Sequence, residues 1–149
     1  MTAREQTMAY RRLGRTDREV SVIGIGTILI GGRITREEGA AVVGRGLDLG
    51  CNFIDTAHCY GKGESEKAVG DAIAGRKRED LVILTRSERR TADEFREDIG
   101  TSLERMRTDH IDVHQIHDVS TPELYERIRA EGLPEIQADA QQQGRLRWR

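Results

Sequence analysis

Two side chains near the middle of this sequence could together move a proton to a substrate oxygen. Asp55 ends a short apolar run, and Tyr60 follows it in a turn that closes on Gly61. A carboxylate and a phenol that converge on one small volume are suited to general acid chemistry. Arg86 and His117 each follow a further predicted buried strand and would add a positive charge and an imidazole at the same edge. The residue types therefore predict a proton-transfer site.

Each of these residues also has an ordinary structural explanation. Asp55 alone is more often a helix cap or a structural acid, and Tyr60 alone is more often packed. His117 alone is more often a hydrogen-bonded core histidine. The functional interpretation depends on finding the three together at the ends of matching strands.

Strands and helices are predicted to alternate along the chain with short connections, which is typical of parallel βα units. A β-hairpin is expected over residues 10–23. Capping boxes at Thr35–Glu38 and Thr91–Glu94 predict two helix starts, and Thr121-Pro122 predicts a third. Further helices are expected at 65–74 and in the stretch that runs to 143. The predicted strands are a short buried one at 24–27, then 53–54, 81–85 and 111–116, and the start of a fifth at 145–149.

Composition excludes several classes of function. The chain has 149 residues, 36% of them apolar and 34% charged, a net charge of -2 and a pI of about 6.1. These values give no electrostatic reason to expect nucleic acid or an anionic membrane as a partner. No apolar stretch approaches the length of a membrane helix. Cys51 and Cys59 are interpreted as two reduced thiols, which favours a cytoplasmic protein.

Three motifs fall short of a specific site. Gly24-Ile25-Gly26 lacks the third glycine of a dinucleotide fingerprint, and the run from Gly70 to Lys77 lacks the lysine of a phosphate loop. His110, His114 and His117 have a spacing that would suit a metal on a helix, but their surroundings predict a strand. We therefore expect no metal site. His58 and Cys59 could join a site only if other segments completed it.

Six groups of segments stand out together. They are Tyr10-Arg11-Arg12-Leu13-Gly14-Arg15-Thr16, Ile23-Gly24-Ile25-Gly26-Thr27, Phe53-Ile54-Asp55-Thr56-Ala57, Tyr60-Gly61 with Ser65-Glu66 and Val69-Gly70, Leu103 with Thr108-Asp109-His110-Ile111-Asp112, and Gln115-Ile116-His117. Together they resemble the N-terminal half of the aldo-keto reductases, NADP(H)-dependent barrel enzymes that reduce aldehydes and ketones. The sequence is most similar to a microbial branch of predicted oxidoreductases.

This resemblance decides between two folds that the alternation leaves open. An open doubly wound sheet and a barrel both place their sites at the carboxyl ends of the strands. The resemblance and the leading hairpin favour an α/β fold that is part of a (β/α)8 TIM barrel, with roughly the first four βα units. Residues 1–9 are expected to be a flexible lead-in, and residues 10–149 to form one truncated barrel domain.

The resemblance also implies a role for each site residue. Tyr60 would be the general acid, Asp55 would hold the network beneath it and contact the cofactor, and His117 would orient and polarise a carbonyl. Gly26 and Thr27 would line the nicotinamide side of the pocket. The implied cofactor is NADPH or NADP+, and the implied partner is a small carbonyl substrate.

Two departures from the family pattern lead to further expectations. Arg86 stands where the family has a lysine, and we expect it to fit poorly beside Asp55 and Tyr60 and to slow turnover. The chain also falls short of the ~250 residues of a complete barrel. We therefore expect weak or no activity from the chain alone. The alternative is a non-catalytic half-barrel or truncated pseudoenzyme that binds itself or another protein through open sheet edges.

Overall fold

A computed structural model describes residues 8–149 of the chain, and its strands and helices alternate after a leading hairpin. Short 3-10 turns cover Tyr60–Gly63 and Arg78–Asp80. The strands are β1 Tyr10–Arg12, β2 Glu19–Ser21, β3 Ile25–Gly26, β4 Phe53–Asp55, β5 Val82–Ser87, β6 Ile111–Ile116 and β7 Leu146–Trp148. The helices are α1 Arg36–Asp48, α2 Glu64–Ile73, α3 Ala92–Met106, α4 Pro122–Ala130 and α5 Leu133–Gln142.

The main sheet confirms the partial barrel. Strands β3, β4, β5, β6 and β7 lie side by side in chain order, and each pairs in parallel with the next. A doubly wound sheet would reverse its strand order at a switch point, and this order contains no reversal. The antiparallel pair β1–β2 forms the predicted hairpin as a separate small sheet.

The hydrophobic core lies between the sheet and the helices. Alternate strand residues point to opposite faces, so Ile54 and Ile83 face the helices while Asp55 and Leu84 face the other way. Ile54 and Ile83 are fully buried against the same cluster as Phe95 of α3. This face anchors the strands, and the opposite face is left to present polar groups.

One of the two predicted capping boxes forms. The Thr35 hydroxyl accepts from the backbone N–H of Glu38, and the Glu38 carboxylate accepts from the N–H of Thr35. The prediction for Thr91–Glu94 was wrong, because the Thr91 hydroxyl donates to the Glu94 carboxylate instead, at 2.6 Å. Helix α3 still begins at Ala92, as predicted, although the contact between Thr91 and Glu94 takes the place of the capping box.

Two predicted strands also needed correction. The strand predicted at 81–85 continues through Ser87, because Arg86 and Ser87 pair with Gln115 and Ile116 of β6. Arg86 therefore lies within the strand rather than after it. The strand predicted as buried at 24–27 is shorter and lies at the edge of the sheet, with Gly26 exposed. Of the predicted lead-in 1–9, only residues 8 and 9 are among those described.

A buried ionic cluster fastens the amino ends of β5 and β6. The Asp112 carboxylate is 0% exposed, accepts from Arg78 at 2.6 Å and from the backbone N–H of Ile83 at 2.9 Å. Its second oxygen lies 3.3 Å from the guanidinium of Arg147 in β7. One carboxylate thus holds the segment before β5 and three neighbouring strands together.

Replacing Asp112 with Ala should lower the free energy of unfolding by about 3–5 kcal/mol, because it leaves the charge of Arg78 buried without its counter-ion. Chemical denaturation followed by circular dichroism measures this loss. Asp80→Ala is a suitable control, since Asp80 is 68% exposed and faces Lys77 across 3.7 Å, and it should change stability by less than about 0.5 kcal/mol. Equal losses in the two variants would contradict the role given to the cluster.

His114 is buried on the helix side of β6 in its neutral form. The amide Nε2 of Gln137 donates to His114 Nδ1 at 3.0 Å and to its backbone carbonyl at 2.9 Å, and the Phe95 ring packs edge-on against the imidazole. Burial lowers the pKa of His114 to about 4. In the unfolded chain the pKa of a histidine is about 6.5.

The free energy of unfolding should therefore decrease as the pH falls from about 6.5 to about 4, because over this range His114 binds a proton in the unfolded chain but not in the folded one. His114→Leu removes this dependence on pH. The difference in free energy of unfolding between the unaltered chain and His114→Leu should therefore be smaller by about 3 kcal/mol at pH 4 than at pH 7. Denaturation curves of both proteins across this range measure the change, and a difference independent of pH would contradict it.

Candidate active site

The predicted site residues come together at the carboxyl edge of the parallel sheet. Asp55 ends β4, Arg86 lies near the end of β5, and His117 directly follows β6. The backbone N–H of His117 donates to the carbonyl of Ser87 at 2.8 Å, so the segment after β6 continues along β5. Alternation places all three side chains on the face away from the core helices.

Asp55 and Arg86 form an ion pair. Arg86 Nη2 donates to Asp55 Oδ1, and the two side chains are 18% and 38% exposed. The arginine lies beside Asp55, which pairs with Gly26 and Leu84 as part of β4. The guanidinium donates to the carboxylate through Nη2, and its buried Nε has no partner within the described residues. The expectation that arginine fits poorly beside Asp55 and Tyr60 stays a prediction.

A tight turn delivers Tyr60. Gly61, Lys62 and Gly63 have left-handed backbone conformations with φ of 55°, 57° and 93°. A side chain at Gly61 would collide with the backbone of Gly31, so this position also needs a glycine for space. The Tyr60 ring meets the His117 ring edge-on with centroids 5.9 Å apart. The phenol and the imidazole therefore share one side of the site.

Gly26 and Thr27 occupy different environments. Gly26 pairs with Asp55 across the sheet, and no described residue has an atom within 4 Å of the place where its side chain would begin. Thr27 is 1% exposed, and its hydroxyl donates to the Asp55 carbonyl at 2.9 Å and bonds to Ser65 Oγ at 2.7 Å. Gly26 therefore borders open space, whereas Thr27 supports the strand from within.

The start of α2 ties the strands of the site together. Ser65 Oγ bonds to Thr27 and Thr56, and the buried Glu66 carboxylate accepts from Thr85 Oγ1 at 2.8 Å. Arg105 of α3 donates to the same carboxylate at 3.1 Å. Ser65-Glu66 was part of the family resemblance without an assigned role. In the structure it joins the residues that follow β3 and β4 to β5.

His58 fastens the loop that carries Tyr60 to α3. Its Nε2 lies 3.1 Å from Asp98 Oδ1, and Arg105 Nη1 donates to its carbonyl at 3.1 Å. Burial lowers the pKa of His58, while Asp98 and Glu66 act in the opposite direction. Sequence reasoning missed Asp98, because its partner lies far away along the chain.

A second group of side chains adjoins Tyr60 and His117. Cys59 Sγ lies 3.7 Å from His117 Nδ1, and the carboxylate of Glu88 reaches the same place. Burial, with the neighbouring Glu88, raises the pKa of the Cys59 thiol. The sequence predicted a role for His117 and indicated that Cys59 could join a site only if other segments completed it. It gave no indication of Glu88. Both cysteines are unpaired, as predicted.

The three histidines of the 110–117 run do not form one site. His110 faces Asp109 at 2.6 Å, His114 is buried with Gln137, and His117 lies beside Cys59. The strand that their surroundings predicted forms as β6, and the three imidazoles have different partners.

Two surface cavities, of about 540 and 400 Å³, lie at the opposite, amino end of the strands. The larger one runs between the ends of α2 and α3. The arginines that line it are committed to carboxylates: Arg76 pairs with Asp48, Arg78 with Asp112 and Arg107 with Asp71. In parallel βα folds the functional site lies at the carboxyl ends of the strands instead, and Asp55, Arg86 and His117 are found at that edge.

None of the helices within residues 8–149 has both the length and the apolar character that a membrane crossing requires.

Comparison with known proteins gives a consistent result. The family model described as "Aldo/keto reductase family" matches residues 22–147. The chain is 30% identical over 145 residues to the uncharacterized oxidoreductase YqkF of Bacillus subtilis, covering 85% of this chain and 46% of that protein. It is 32% identical over 149 residues to L-galactose dehydrogenase of Arabidopsis thaliana, covering 93% of this chain and 46% of that protein.

Solved structures share the fold. The thermostable aldo-keto reductase Tm1743, crystallised with the inhibitor epalrestat, matches with a TM-score of 0.80 and 31% identity over 94% of this chain and 52% of that one. The holo form of aldo-keto reductase AKR11C1 from Bacillus halodurans matches with a TM-score of 0.79 and 28% identity, covering 95% of this chain and 49% of that one. The chain thus spans about half the length of the relatives it matches.

Proposed function

This chain belongs to the aldo/keto reductase family, and from that membership we propose that it is an NADP(H)-dependent oxidoreductase that reduces a small carbonyl compound to an alcohol. The observation that carries the proposal is that two pairs of polar side chains lie at the same edge of the sheet. Tyr60 lies against His117, and Arg86 is paired with Asp55.

In this proposal Tyr60 gives its proton to the carbonyl oxygen of the substrate. The adjoining imidazole of His117 orients that oxygen and polarises the carbonyl, which makes its carbon a better hydride acceptor. The positive charge of Arg86 offsets the negative charge that develops on the phenol as the proton leaves. Asp55 holds the guanidinium in place. A nicotinamide cofactor, when bound, supplies the hydride.

The described residues fit the nicotinamide end of such a cofactor. The space in front of Gly26 is open, and a flat ring can approach a backbone only where no side chain intervenes. Arg86 Nε is a buried donor that lacks a partner within residues 8–149 and is therefore available to a ligand acceptor. Gly26 and Asp55, paired across the sheet, would border the ring, with Thr27 behind them.

Titration of the chain with NADPH, followed by cofactor fluorescence, tests the proposal. Saturable binding together with oxidation of NADPH that depends on added aldehyde or ketone would support it. Gly26→Leu should weaken NADPH binding by roughly tenfold or more, because the new side chain fills the open space. Gly44→Leu, on α1, is the matched control and should leave binding unchanged. No saturable binding by the unaltered chain would reject the proposal.

A second candidate is a non-catalytic protein that pairs through its sheet edges. Its support is that β3 and β7 are the outer strands of the five-stranded sheet, and each has one neighbour among residues 8–149. An outer strand offers unpaired backbone groups to another chain. Light scattering separates the candidates: a stable homodimer without NADPH binding would favour pairing, whereas a monomer that binds NADPH would favour the enzyme.

We also propose a cytoplasmic setting, on the ground that both thiols are unpaired.

A further inference from the structure

Three metal-ligating side chains meet beside the proposed active site. Cys59 follows β4, Glu88 follows β5, and His117 follows β6. One ligand atom from each, the sulfur, a carboxylate oxygen and an imidazole nitrogen, lies within 4.8 Å of the other two. The three come from separate segments of the chain, and the fold brings them together at one edge.

Their separations approach those of a tetrahedral zinc site. Zinc binds thiolate sulfur at about 2.3 Å, and imidazole nitrogen or carboxylate oxygen at about 2.0–2.2 Å, so adjacent ligand atoms lie roughly 3.4–3.6 Å apart. Cys59 Sγ and His117 Nδ1 are already 3.7 Å apart. Glu88 is exposed, and its carboxylate can close the remaining gap by a side-chain rotation.

The backbone holds two of the ligands in place. The N–H of His117 donates to the Ser87 carbonyl, and Arg90 Nη2 donates to the His117 carbonyl at 2.5 Å. The N–H of His58, next to Cys59, donates to the Arg86 carbonyl at 2.9 Å. A preformed arrangement lowers the entropic cost of binding.

The donor set also matches the chemistry of the cation. A thiolate and a carboxylate supply two negative charges, which balance Zn²⁺, and the neutral imidazole adds a third ligand. Softer thiolate and imidazole donors select zinc over magnesium or calcium, which prefer oxygen alone. Three protein ligands leave one position for water or another small ligand.

We propose that Cys59, Glu88 and His117 form a binding site for a zinc-class divalent cation. The site does not depend on the proposed function, but it shares His117 with it. A bound cation takes Nδ1 of that imidazole and leaves Nε2 free, so occupancy adds a positive charge beside the proposed carbonyl site without removing the imidazole from it.

Binding can be measured without any catalytic activity. Zn²⁺ is titrated into the reduced, intact chain in competition with a chromophoric chelator, and Co²⁺ is used as a spectroscopic probe. We expect one equivalent of Zn²⁺ to bind. Co²⁺ should give a thiolate-to-metal charge-transfer band in the near ultraviolet, which shows that a cysteine is a ligand.

Ligand variants assign the site. Cys59→Ser and Glu88→Gln should each weaken Zn²⁺ binding by roughly 100-fold or more, beyond the 10–100-fold typical of residues that only support a ligand. Cys51→Ser and Glu126→Gln are the matched controls at the other thiol and on the exposed face of α4, and they should bind like the unaltered chain. Glu88 is exposed, so its variant leaves the fold intact.

The site would be refuted by a chain that binds no Zn²⁺, by a Co²⁺ spectrum without the thiolate band, or by Cys59→Ser binding as tightly as Cys51→Ser. A failure of this kind leaves NADPH binding untouched. Loss of NADPH binding, in turn, leaves Zn²⁺ binding untouched, so the two proposals fail separately.

Discussion

Replacing Tyr60 with Phe should lower the turnover of carbonyl reduction by about 10²–10⁴-fold, the usual contribution of a positioned general acid. The change removes the proton donor and keeps the ring, so the edge contact with His117 at 5.9 Å should persist. NADPH affinity should stay the same, because the phenol acts on the substrate oxygen. Initial rates of NADPH consumption at saturating carbonyl, with a separate fluorescence titration, measure both quantities.

Tyr125→Phe provides the control for this experiment. Tyr125 lies on the exposed side of α4 beside Arg129 and loses the same hydroxyl without touching the site. Its turnover should equal that of the unaltered chain. If Tyr60→Phe retained full turnover, another group would have to supply the proton and the proposed mechanism would be wrong.

Replacing Arg86 with Lys should raise turnover by about 10²–10⁴-fold, the usual contribution of a positioned acid–base group, because an ammonium should offset the charge on the phenol better than the guanidinium that Asp55 already engages. The guanidinium is a planar fork that is committed to Asp55, and its Nε is buried without a partner among residues 8–149. An ammonium is a compact charge with three rotatable donors. It can serve the Asp55 carboxylate and the developing phenolate of Tyr60 together.

The same rate assay measures the gain, and circular dichroism checks that the fold is kept. Arg96→Lys is the matched control, because Arg96 is an exposed residue of α3 that pairs with Asp93 at 3.0 Å. It should not change turnover. An Arg86→Lys rate equal to or below that of the unaltered chain would show that arginine serves the reaction as well as lysine does.

The sequence predicted the local parts of the fold well. The strand 111–116 was predicted with the bounds that the structure has, because Ile111, Val113 and Ile116 give it a strand-like pattern. The capping box at Thr35 involves residues three positions apart, so its hydrogen bonds follow from the sequence alone. The parallel order of the strands followed from the alternation of elements and the family resemblance.

The parts that depend on distant partners were harder to predict. The extension of β5 through Ser87 is decided by its register with β6, which no local pattern contains. Glu88 stands in a polar stretch, and nothing there marks it as a neighbour of Cys59. The burial of Glu66 likewise depends on Arg105, which lies on another helix. Charged residues of this kind look like surface residues until the fold supplies their partners.

The left-handed turn after Tyr60 has a consequence for natural and laboratory variation. Lys62 adopts φ 57° without being a glycine, so it carries a conformational strain that Gly or Asn in its place would relieve. Gly61 and Gly63 are confined by their neighbours as well as by their backbone angles. Saturation mutagenesis of this turn should therefore favour Gly and Asn at position 62, disfavour β-branched residues there, and recover almost no substitutions at 61 and 63. The substitutions tolerated at these three codons thus report genetically how far the position of the Tyr60 phenol depends on the turn that follows it.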